Sequence, residues 1–448
     1  MRASRASKRW LVAAAVLAVG LTACTAGGSA GTNPTTLNPT ASQPPTTINV
    51  WGAFTGREAK IVQTSLDALH QQYPWLTAKY VPSKTDADIA KAIASGTPPD
   101  VVMVQSPDNV AKFCSTKAWQ DLTPYIQASH LDLTKIFPPA AMSYTSYQGN
   151  QCSLPLLTDA FGMYYNKDLL AQAGYTKPPK TFSQLSAMAK KLTQRTADGT
   201  IQVAGFVPTL GQMYEINNLY YGKLTNSNWY DSAGKSVVNT DPTWKSLLEW
   251  DKQLTDWYGY DNIKRWFAPY KDHEWDAGNA FEQGKVAMMM DGEWRTAFFA
   301  ADNSNVNYGT APFPVPDDQA ARYGVGMIGG TVAGIPKGAP NGAASWLVLQ
   351  DLTMNTKTLN ALADDLKNVP STYASLKTTT LGNDPKFAVF MNIFKNPNSG
   401  FKQLSPEGSA DVDTFARFIT DWQTGKATDL QGGLNQVAKQ IDDLQQVG

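Results

Sequence analysis

Paired carboxylates are the residues of this chain whose types and spacing could do covalent chemistry. Asp291 and Glu293 lie two positions apart, and a glycosidase needs two carboxyl groups about 5–10 Å apart across the bond that it cleaves. The partner of a catalytic carboxylate can also be distant in sequence, so an exported glycosidase stays open as an alternative. A third carboxylate, Asp159, opens the stretch Asp-Ala-Phe-Gly-Met-Tyr-Tyr-Asn-Lys-Asp-Leu-Leu, where no base or nucleophile stands beside it.

Motifs for metal, nucleotide or nucleophilic chemistry are weak or absent. His70, His130 and His273 are far apart, and no H-E-x-x-H, G-x-S-x-G or P-loop motif occurs. Residues 324–329 fit G-x-G-x-x-G, but a dinucleotide site needs a strand before this motif and a helix after it. A proline-rich connector precedes these glycines and a strand pattern follows them. We therefore expect no metal and no cofactor.

The N-terminal residues predict export and membrane attachment. Residues 1–23 hold a basic start and a short apolar run, which is typical of a signal peptide and too short for a permanent span. Residues 21–24, Leu-Thr-Ala-Cys, resemble the bacterial lipobox, in which the cysteine is lipidated. We expect residues 24–47 to be lipidated Cys24 and a flexible tether, because residues 25–47 carry no charge and no aromatic side chain. An ordinary signal peptide ending near a cysteine is the alternative.

Charge and cysteine content narrow the class of protein further. The 448 residues include 38 basic and 38 acidic ones without a basic stripe, so we expect no nucleic-acid partner. The length predicts two or three domains. In an exported chain, Cys114 and Cys152 are expected to form a disulfide, with two unpaired thiols as the alternative.

The elements that would position a site follow an α/β pattern. Strands are predicted at residues 46–52, 77–83 and 98–106, with a helix over 56–73 and another capped by Thr85. This order indicates right-handed crossovers and a parallel sheet. Ligands of such sheets bind beyond the carboxyl ends of the strands. This rule predicts that Phe54, Thr55, Gln105 and Ser106 lie at the ligand site.

Four segments, in order, carry a family resemblance. They are residues 95–104 with Pro-Pro-Asp-Val, 154–192 with Tyr-Tyr-Asn-Lys-Asp-Leu, 281–299 with Gly-x-Trp, and 325–354 with a Gly-Gly loop. In these segments the chain resembles the extracellular solute-binding proteins of carbohydrate ABC importers. The resemblance covers nearly all of residues 46–448.

This resemblance implies a two-lobed α/β fold of the periplasmic-binding-protein type II, with a ligand cleft between the lobes. Three hinge crossings are expected, near Thr158–Gly162, near Tyr308–Phe313, and after a helix ending near Leu359. The N-lobe is then expected to comprise residues 48–158 and 312–360, and the C-lobe residues 159–311 and 361–448.

The implied function is capture and delivery of a sugar without covalent chemistry. The lobes would close on the ligand, and the permease subunits would recognise the closed form. A mono-, di- or short oligosaccharide is expected, because no aromatic residue follows Val104, where maltose-binding protein has a tryptophan. We expect a monomer, lipid-anchored at the extracellular face of the cell membrane. A surface sensor or adhesin that reuses the fold is a further alternative to the glycosidase.

The resemblance also assigns residues to the cleft. Asp159 stands where the family often has an acidic ligand residue, and Trp294 matches its sugar-stacking tryptophan. A carboxylate can accept two charge-assisted hydrogen bonds from hydroxyls. A solvated hinge carboxylate and a core tryptophan are the respective alternatives. The full predicted set is Phe54, Thr55, Gln105, Ser106, Asp159, Tyr214, Glu215, Trp294, Gly329, Gly330 and Thr331.

Overall fold

A computed structural model describes residues 36–208 and 221–445. The predicted signal peptide, Cys24 and the first part of the tether lie outside the described residues, as do Tyr214 and Glu215. Within the described ranges, no helix has both the length and the apolar character that a membrane span requires.

The described residues form two β-sheets and their covering helices. The strands are β1 (Thr46–Gly52), β2 (Leu76–Val81), β3 (Val101–Val104), β4 (Leu154–Pro155), β5 (Leu157–Asn166), β6 (Gln194–Arg195), β7 (Ile201–Phe206), β8 (Val286–Gly292), β9 (Tyr308–Ala311), β10 (Ile328–Gly329), β11 (Val332–Gly334) and β12 (Val369–Pro370). The helices are α1 (Gly56–Gln72), α2 (Asp86–Ala94), α3 (Val110–Ser115), α4 (Thr123–Ala128), α5 (Leu133–Ile136), α6 (Pro139–Met142), α7 (Lys167–Gln172), α8 (Phe182–Leu192), α9 (Tyr221–Thr225), α10 (Pro242–Tyr258), α11 (Tyr260–Phe267), α12 (Arg295–Ala301), α13 (Gly342–Met354), α14 (Thr356–Leu366), α15 (Tyr373–Thr378), α16 (Pro385–Lys395), α17 (Ala410–Thr424) and α18 (Leu430–Gln445).

The first sheet has the order β2-β1-β3-β11-β4. β1 pairs in parallel with β2 and β3, as the strand–helix–strand pattern predicts. All four residues of β3 are buried, which fits its central position. β11 adds to β3 and β4 in antiparallel orientation, so the sheet is mixed rather than wholly parallel. The carboxyl ends of β1 and β3 therefore meet at one edge.

The second sheet is built around β5 and β8. Its order is β10-β5-β8-β7-β6, and β9 and β12 also pair with β5. β8 is buried along its whole length and runs antiparallel to β5, with Phe161 opposite Gly292. The end of β8 is thereby placed beside the middle of β5.

The strand pairings show where the chain passes between the sheets. The first passage lies between β4 and the start of β5, close to the predicted position. The second prediction, near Tyr308–Phe313, is wrong, because β9 pairs with β5 and the chain changes sheet only between β10 and β11, at Gly330 and Thr331. We therefore propose that residues 312–329 belong with the second lobe.

The last passage and the C-terminus also differ from expectation. The helix expected to end near Leu359 continues in α14 to Leu366, and the chain meets β5 in β12 before α16 packs against β5 and β9. The amphipathic pattern of the last 30 residues predicts helix throughout. The structure divides this region between α17 and α18, because Gly425 adopts a φ of 77° and ends the first.

Cys114 and Cys152 form the predicted disulfide. Their Cα atoms are 5.5 Å apart across a sequence separation of 38. It links α3 to the segment before β4, so both ends lie on the first sheet's side of the molecule. In the chain-entropy account such a bridge stabilises the fold by roughly 3–4 kcal/mol.

Candidate functional site

The candidate site lies at the start of β5, where the chain has just left the first sheet. Asp159 pairs with Gly329 in the β5–β10 ladder, and the main-chain oxygen of Thr331 accepts a hydrogen bond of 2.8 Å from the N–H of Leu156. These contacts bring Asp159 together with the Gly-Gly-Thr loop. Asp159 is partly buried, whereas Gly329 and Thr331 are buried.

Gly330 is the residue that permits this close approach. Its φ is +133°, and a Cβ atom would lie 2.2 Å from the carbonyl oxygen of Leu157 and 2.9 Å from the amide nitrogen of Asp159. No residue with a side chain fits that position without moving the crossing strand. The Gly-Gly loop therefore fixes the main chain on both sides of Asp159.

Trp294 lies beside this crossing, just beyond β8. Its ring packs edge-to-face on Phe161, with centroids 5.2 Å apart and planes at 86°. A Cβ atom on Gly292 would lie 2.1 Å from the indole, so the glycine of the Gly-x-Trp element makes room for the ring. The indole is partly exposed, and its Nε1 atom is buried without a hydrogen-bond partner among the described residues. The Trp294 ring thus packs on Phe161, while its indole N–H has no acceptor among the described residues.

The strand-end residues form the other border of the site. Val104 pairs with Val332, so Gln105 follows at the level of Thr331, and its side chain is exposed. Thr55 precedes α1 and is exposed. Both are accessible at the predicted edge, and their role in binding stays a prediction.

Two other strand-end residues have visible structural duties. Phe54 is only 7% exposed and packs in the core. Ser106 accepts a hydrogen bond from the N–H of Asp108 and donates one of 2.7 Å to its carboxylate, which caps the short 3-10 helix Pro107–Asn109. Their predicted ligand contacts remain untested.

Glu293 brings a second carboxylate to the crossing. It is fully buried, and its Oε2 atom accepts a hydrogen bond of 2.7 Å from the N–H of Ala160. Its Oε1 atom accepts from the Asn368 amide at 3.2 Å and from the Val369 N–H at 3.4 Å. The Asn368 amide also donates to Oδ1 of Asp159 at 2.7 Å. One amide thus bridges the two carboxyl groups.

The electrostatic surroundings of this pair are predominantly negative. Burial raises the pKa of Asp159 to about 7, with the Asn368 hydrogen bond lowering it and the charge of Glu58 raising it. Burial and the charge of Asp159 raise the pKa of Glu293 well above its usual range. Two such interacting groups titrate as a pair, so the pair carries less than two full charges at neutral pH.

Asp291, two residues before Glu293, has a different environment. Its Oδ2 atom lies 2.6 Å from Nε of Arg295, and both side chains are almost completely buried. The guanidinium also donates to the main-chain oxygen of Glu274 and lies 5.1 Å from the ring centroid of Trp275. Asp291 is therefore half of a buried ion pair within the second lobe.

A second contact joins the two sides of the cleft away from the crossings. The Nζ atom of Lys402 lies 3.6 Å from Asp108, which follows β3, and 3.3 Å from Asp411, at the start of α17. The Lys402 side chain is only 4% exposed and lies over the Trp229 ring at 5.5 Å. In this structure the lobes thus touch at an ion pair as well as at the crossings.

Comparison with known proteins identifies the family. A family model for bacterial extracellular solute-binding proteins matches residues 50–353. This chain belongs to that family. The predicted resemblance is confirmed, and the glycine, tryptophan and crossing-strand features above all lie within the matched range.

Several curated relatives of this solute-binding protein are distant in sequence. It is 24% identical to the maltotriose-binding protein of Pyrococcus abyssi over 66% of this chain and 59% of that protein, so it spans less than two thirds of that relative's length. It is 27% identical to a maltooligosaccharide ABC transporter solute-binding lipoprotein of Streptococcus pneumoniae (strain ATCC BAA-334 / TIGR4), over 69% of each chain.

Solved structures confirm the two-lobed type II fold. "CpMnBP1 with Mannotriose Bound" superposes with a TM-score of 0.79 at 25% identity, over 89% of this chain and all of that one. The maltose-bound MalE3 of T. maritima superposes with a TM-score of 0.72 at 24% identity, over 89% of this chain and 99% of that one.

Sequence reasoning missed three residues of the solute-binding protein's crossing. Glu293 was considered only as half of an enzyme-like pair, although its position inside Gly-x-Trp, directly after a buried strand, was a usable signal. Glu58, in the first turn of α1, and Asn368, before β12, carried no recognisable signal. Among residues 36–208 and 221–445, no group of three or more His, Cys, Asp or Glu side chains could hold a metal ion.

Proposed function

We propose that this solute-binding protein captures a short oligosaccharide outside the cell and delivers it to the permease of an ABC importer. The observation that carries the proposal is the pairing of a partly exposed carboxylate, Asp159, with a partly exposed indole, Trp294, at the crossing between the lobes. A carboxylate recognises pairs of hydroxyls, and an aromatic ring covers the C–H face of a sugar. The indole N–H supplies one more donor for a hydroxyl oxygen.

The ligands of related proteins favour a carbohydrate. Curated relatives are described as binding maltotriose or maltooligosaccharides. Solved neighbours hold mannotriose, mannobiose or tagatose. We accordingly propose a ligand of one to three sugar rings, which agrees with the absence of an aromatic residue at Gln105.

Binding without catalysis fits the geometry of the carboxylates better than hydrolysis does. A glycosidase must present two carboxyl groups to the scissile bond. Glu293 is fully buried, with both oxygens accepting hydrogen bonds from the protein, and Asp291 is neutralised by Arg295. Only Asp159 of these three carboxylates is partly exposed, so a second catalytic group is not presented with it.

A thermal-shift screen tests the proposed ligand class. The panel is mannobiose, mannotriose, maltose, maltotriose and tagatose, with wild-type protein and the Asp159→Asn variant in parallel. A true ligand stabilises the folded state by RT ln(1 + [L]/Kd), about 2.7 kcal/mol at 100 times Kd. We expect at least one sugar to raise the melting temperature of the wild type and to raise that of the variant less.

Two outcomes would overturn the proposal. One is the absence of any shift across the panel and across a wider set of carbohydrates. The other is the release of shorter sugars when an oligosaccharide is incubated with the protein and analysed by chromatography, because a binding protein returns its ligand unchanged.

We further propose that Cys24 anchors the protein to the outer face of the cell membrane and that the protein is monomeric. The relative from Streptococcus pneumoniae is described as a lipoprotein, which supports the anchor. Cys24→Ser should release the full-length protein from the membrane fraction into the medium. Retention of the variant in washed membranes would contradict the anchor.

A further inference from the structure

Glu293 joins three separate segments of the chain at one point. It follows β8, and it accepts hydrogen bonds from the N–H groups of Ala160 in β5 and Val369 in β12. Since the side chain is 0% exposed, these bonds face no competition from water. A single carboxylate therefore holds two crossing strands against the end of β8.

The same carboxylate controls Asp159 through one intermediate. The side-chain amide of Asn368 has two N–H donors, and they point to Asp159 at 2.7 Å and to Glu293 at 3.2 Å. A flipped amide would place its oxygen against two carboxyl groups, so the orientation of Asn368 is fixed. Asn368 in turn holds Oδ1 of Asp159. The Oδ2 atom accepts no hydrogen bond within residues 36–208 and 221–445.

We propose that Glu293 is the positioning residue of the ligand site, acting through Asn368 to set the direction of the Asp159 carboxylate. The inference rests on the proposed function, because it takes Asp159 to be the group that holds the ligand. Glu293 itself touches no ligand in this account.

The groups that face the pair reinforce its sensitivity to charge. Glu58 approaches from α1, and its own pKa is raised by burial while Arg57 beside it lowers it. Tyr144, beyond α6, is fully buried, and burial raises the pKa of its hydroxyl, with smaller contributions from the charges of Asp159 and Glu293. The charge of Glu58 thus raises the pKa of Asp159, and Arg57 lies beside Glu58 at 4.0 Å.

The direction of the pH effect follows from hydrogen bonding. The ionised carboxylate of Asp159 is the stronger acceptor for sugar hydroxyls, so affinity should rise as the pH increases through about 7. Glu293→Gln replaces one of the two accepting oxygens by an N–H donor, which frees the Asn368 amide from its position against Asp159 and so moves the midpoint of this rise to higher pH. Asn368→Ala removes a hydrogen bond that stabilises the ionised form, which moves the midpoint to higher pH.

The test is the pH profile of affinity, measured by isothermal titration calorimetry from pH 5 to 9. The probe is mannotriose, or maltotriose if mannotriose gives no thermal shift. Below the midpoint we expect the wild-type association constant to fall about tenfold per pH unit if only ionised Asp159 binds. Both variants should displace the midpoint to higher pH, because both weaken the hydrogen bond from Asn368 to Asp159, and a purely structural role would leave the midpoint unchanged.

Asp100→Asn is the matched control. Asp100 is also a buried carboxylate, and it accepts from one main-chain N–H, of Asn49, at 2.8 Å and from the amide of Asn341 at 2.9 Å. It lies at the start of β3, away from the cleft edge, so its loss should leave the midpoint unchanged. Superimposed profiles for wild type, Glu293→Gln and Asn368→Ala would overturn the inference, as would a shift of either variant to lower pH.

A measurement without ligand separates this inference from the proposed function. A carboxyl whose pKa is raised in the folded state contributes a stability that falls as the pH rises from its unfolded value of about 4 to its folded value. We expect the melting temperature of Glu293→Gln to fall less between pH 4.5 and 7.5 than that of the wild type. An unchanged slope refutes the coupling even if no sugar binds. If Glu293→Gln does not fold, Asn368→Ala decides, because it should steepen the fall.

Discussion

Asp291 and Glu293 are buried carboxylates two residues apart, yet their surroundings are opposite in kind. Asp291 is compensated by the Arg295 guanidinium at 2.6 Å. Glu293 has N–H donors and a second carboxyl, Asp159, in place of a cation. The first arrangement neutralises charge inside one lobe, and the second holds incompletely compensated charge at the junction of two lobes.

This difference teaches how a structural carboxylate is told from a functional one. At Asp291 a local cation offsets part of the loss of hydration: burial raises the pKa of this carboxyl, and Arg295 lowers it. Where no cation is supplied, the loss of hydration is reduced by binding a proton, and such perturbed groups occur preferentially at functional sites. Of the two acidic side chains at the end of β8, one thus serves structural stability and the other, as we propose, serves ligand binding.

The largest expected effect comes from removing the cation of the buried Asp291–Arg295 pair. Arg295→Leu leaves the Asp291 carboxylate buried without its cation, and we expect a loss of about 3–5 kcal/mol in the free energy of unfolding. Urea unfolding followed by circular dichroism measures it, with Asp291→Leu/Arg295→Leu as the control that removes both charges and loses less. A loss below 1 kcal/mol would show that Asp291 is not held by this pair.

The next largest effect is expected from removing the charge of Asp159, the proposed ligand-binding carboxylate. Asp159→Asn keeps the shape of the side chain but removes the charge, so two charge-assisted hydrogen bonds to a sugar become neutral ones. We expect the dissociation constant at pH 7.5 to rise about 10- to 100-fold, since such bonds contribute about 1.5–3 kcal/mol, with unfolding stability kept. Calorimetry measures the affinities of wild type, Asp159→Asn and the control Asp100→Asn. Equal affinities for the three proteins would show that Asp159 does not contact the ligand.

A smaller change sharpens the role of the aromatic neighbour. Trp294→Phe keeps an aromatic ring on Phe161 but removes the unpartnered Nε1 donor. The loss of one neutral hydrogen bond, about 0.5–1.5 kcal/mol, predicts a 2- to 10-fold weaker affinity for the same sugar. Trp294→Ala should weaken it further. If Trp294→Phe binds as tightly as wild type, the indole N–H does not contact the ligand.

The smallest effect concerns the ion pair away from the crossings. Asp108→Asn removes one of the two carboxylates near Lys402 but leaves Asp411 at 3.3 Å. Because the nearly buried Lys402 keeps Asp411 as its partner, we expect the dissociation constant to rise no more than about fivefold, which corresponds to about 1 kcal/mol. The salt dependence of affinity should also decrease. A change above tenfold would place Asp108 in contact with ligand.

The sequence predicted what is encoded locally. The apolar run of β3 and the Thr85 cap of α2 follow from periodicity and capping chemistry, and the structure has both where the sequence predicts them. The family resemblance placed Asp159 at the crossing. Tyr214 and Glu215 stay predictions, since they lie outside the described residues.

The rest depended on contacts between distant residues. Residues 308–311 read as the start of a crossing, but whether they join β5 depends on a strand more than 140 positions earlier. Asn368 matters because its amide donates a hydrogen bond to Asp159, at a sequence separation of 209. No local pattern contains such a pairing, so the second passage was misplaced and the bridge between the carboxylates was missed.

The spacing of residues along the crossing strand β5 bears on the size of the ligand. Asp159 and Phe161 are alternate residues of one hydrogen-bonded strand, so they face the same side, roughly 7 Å apart along the chain. Phe161 supports the Trp294 ring, and the ladder with β8 keeps both in register. We therefore propose that the acidic and the aromatic contacts are spaced by about the width of one sugar ring.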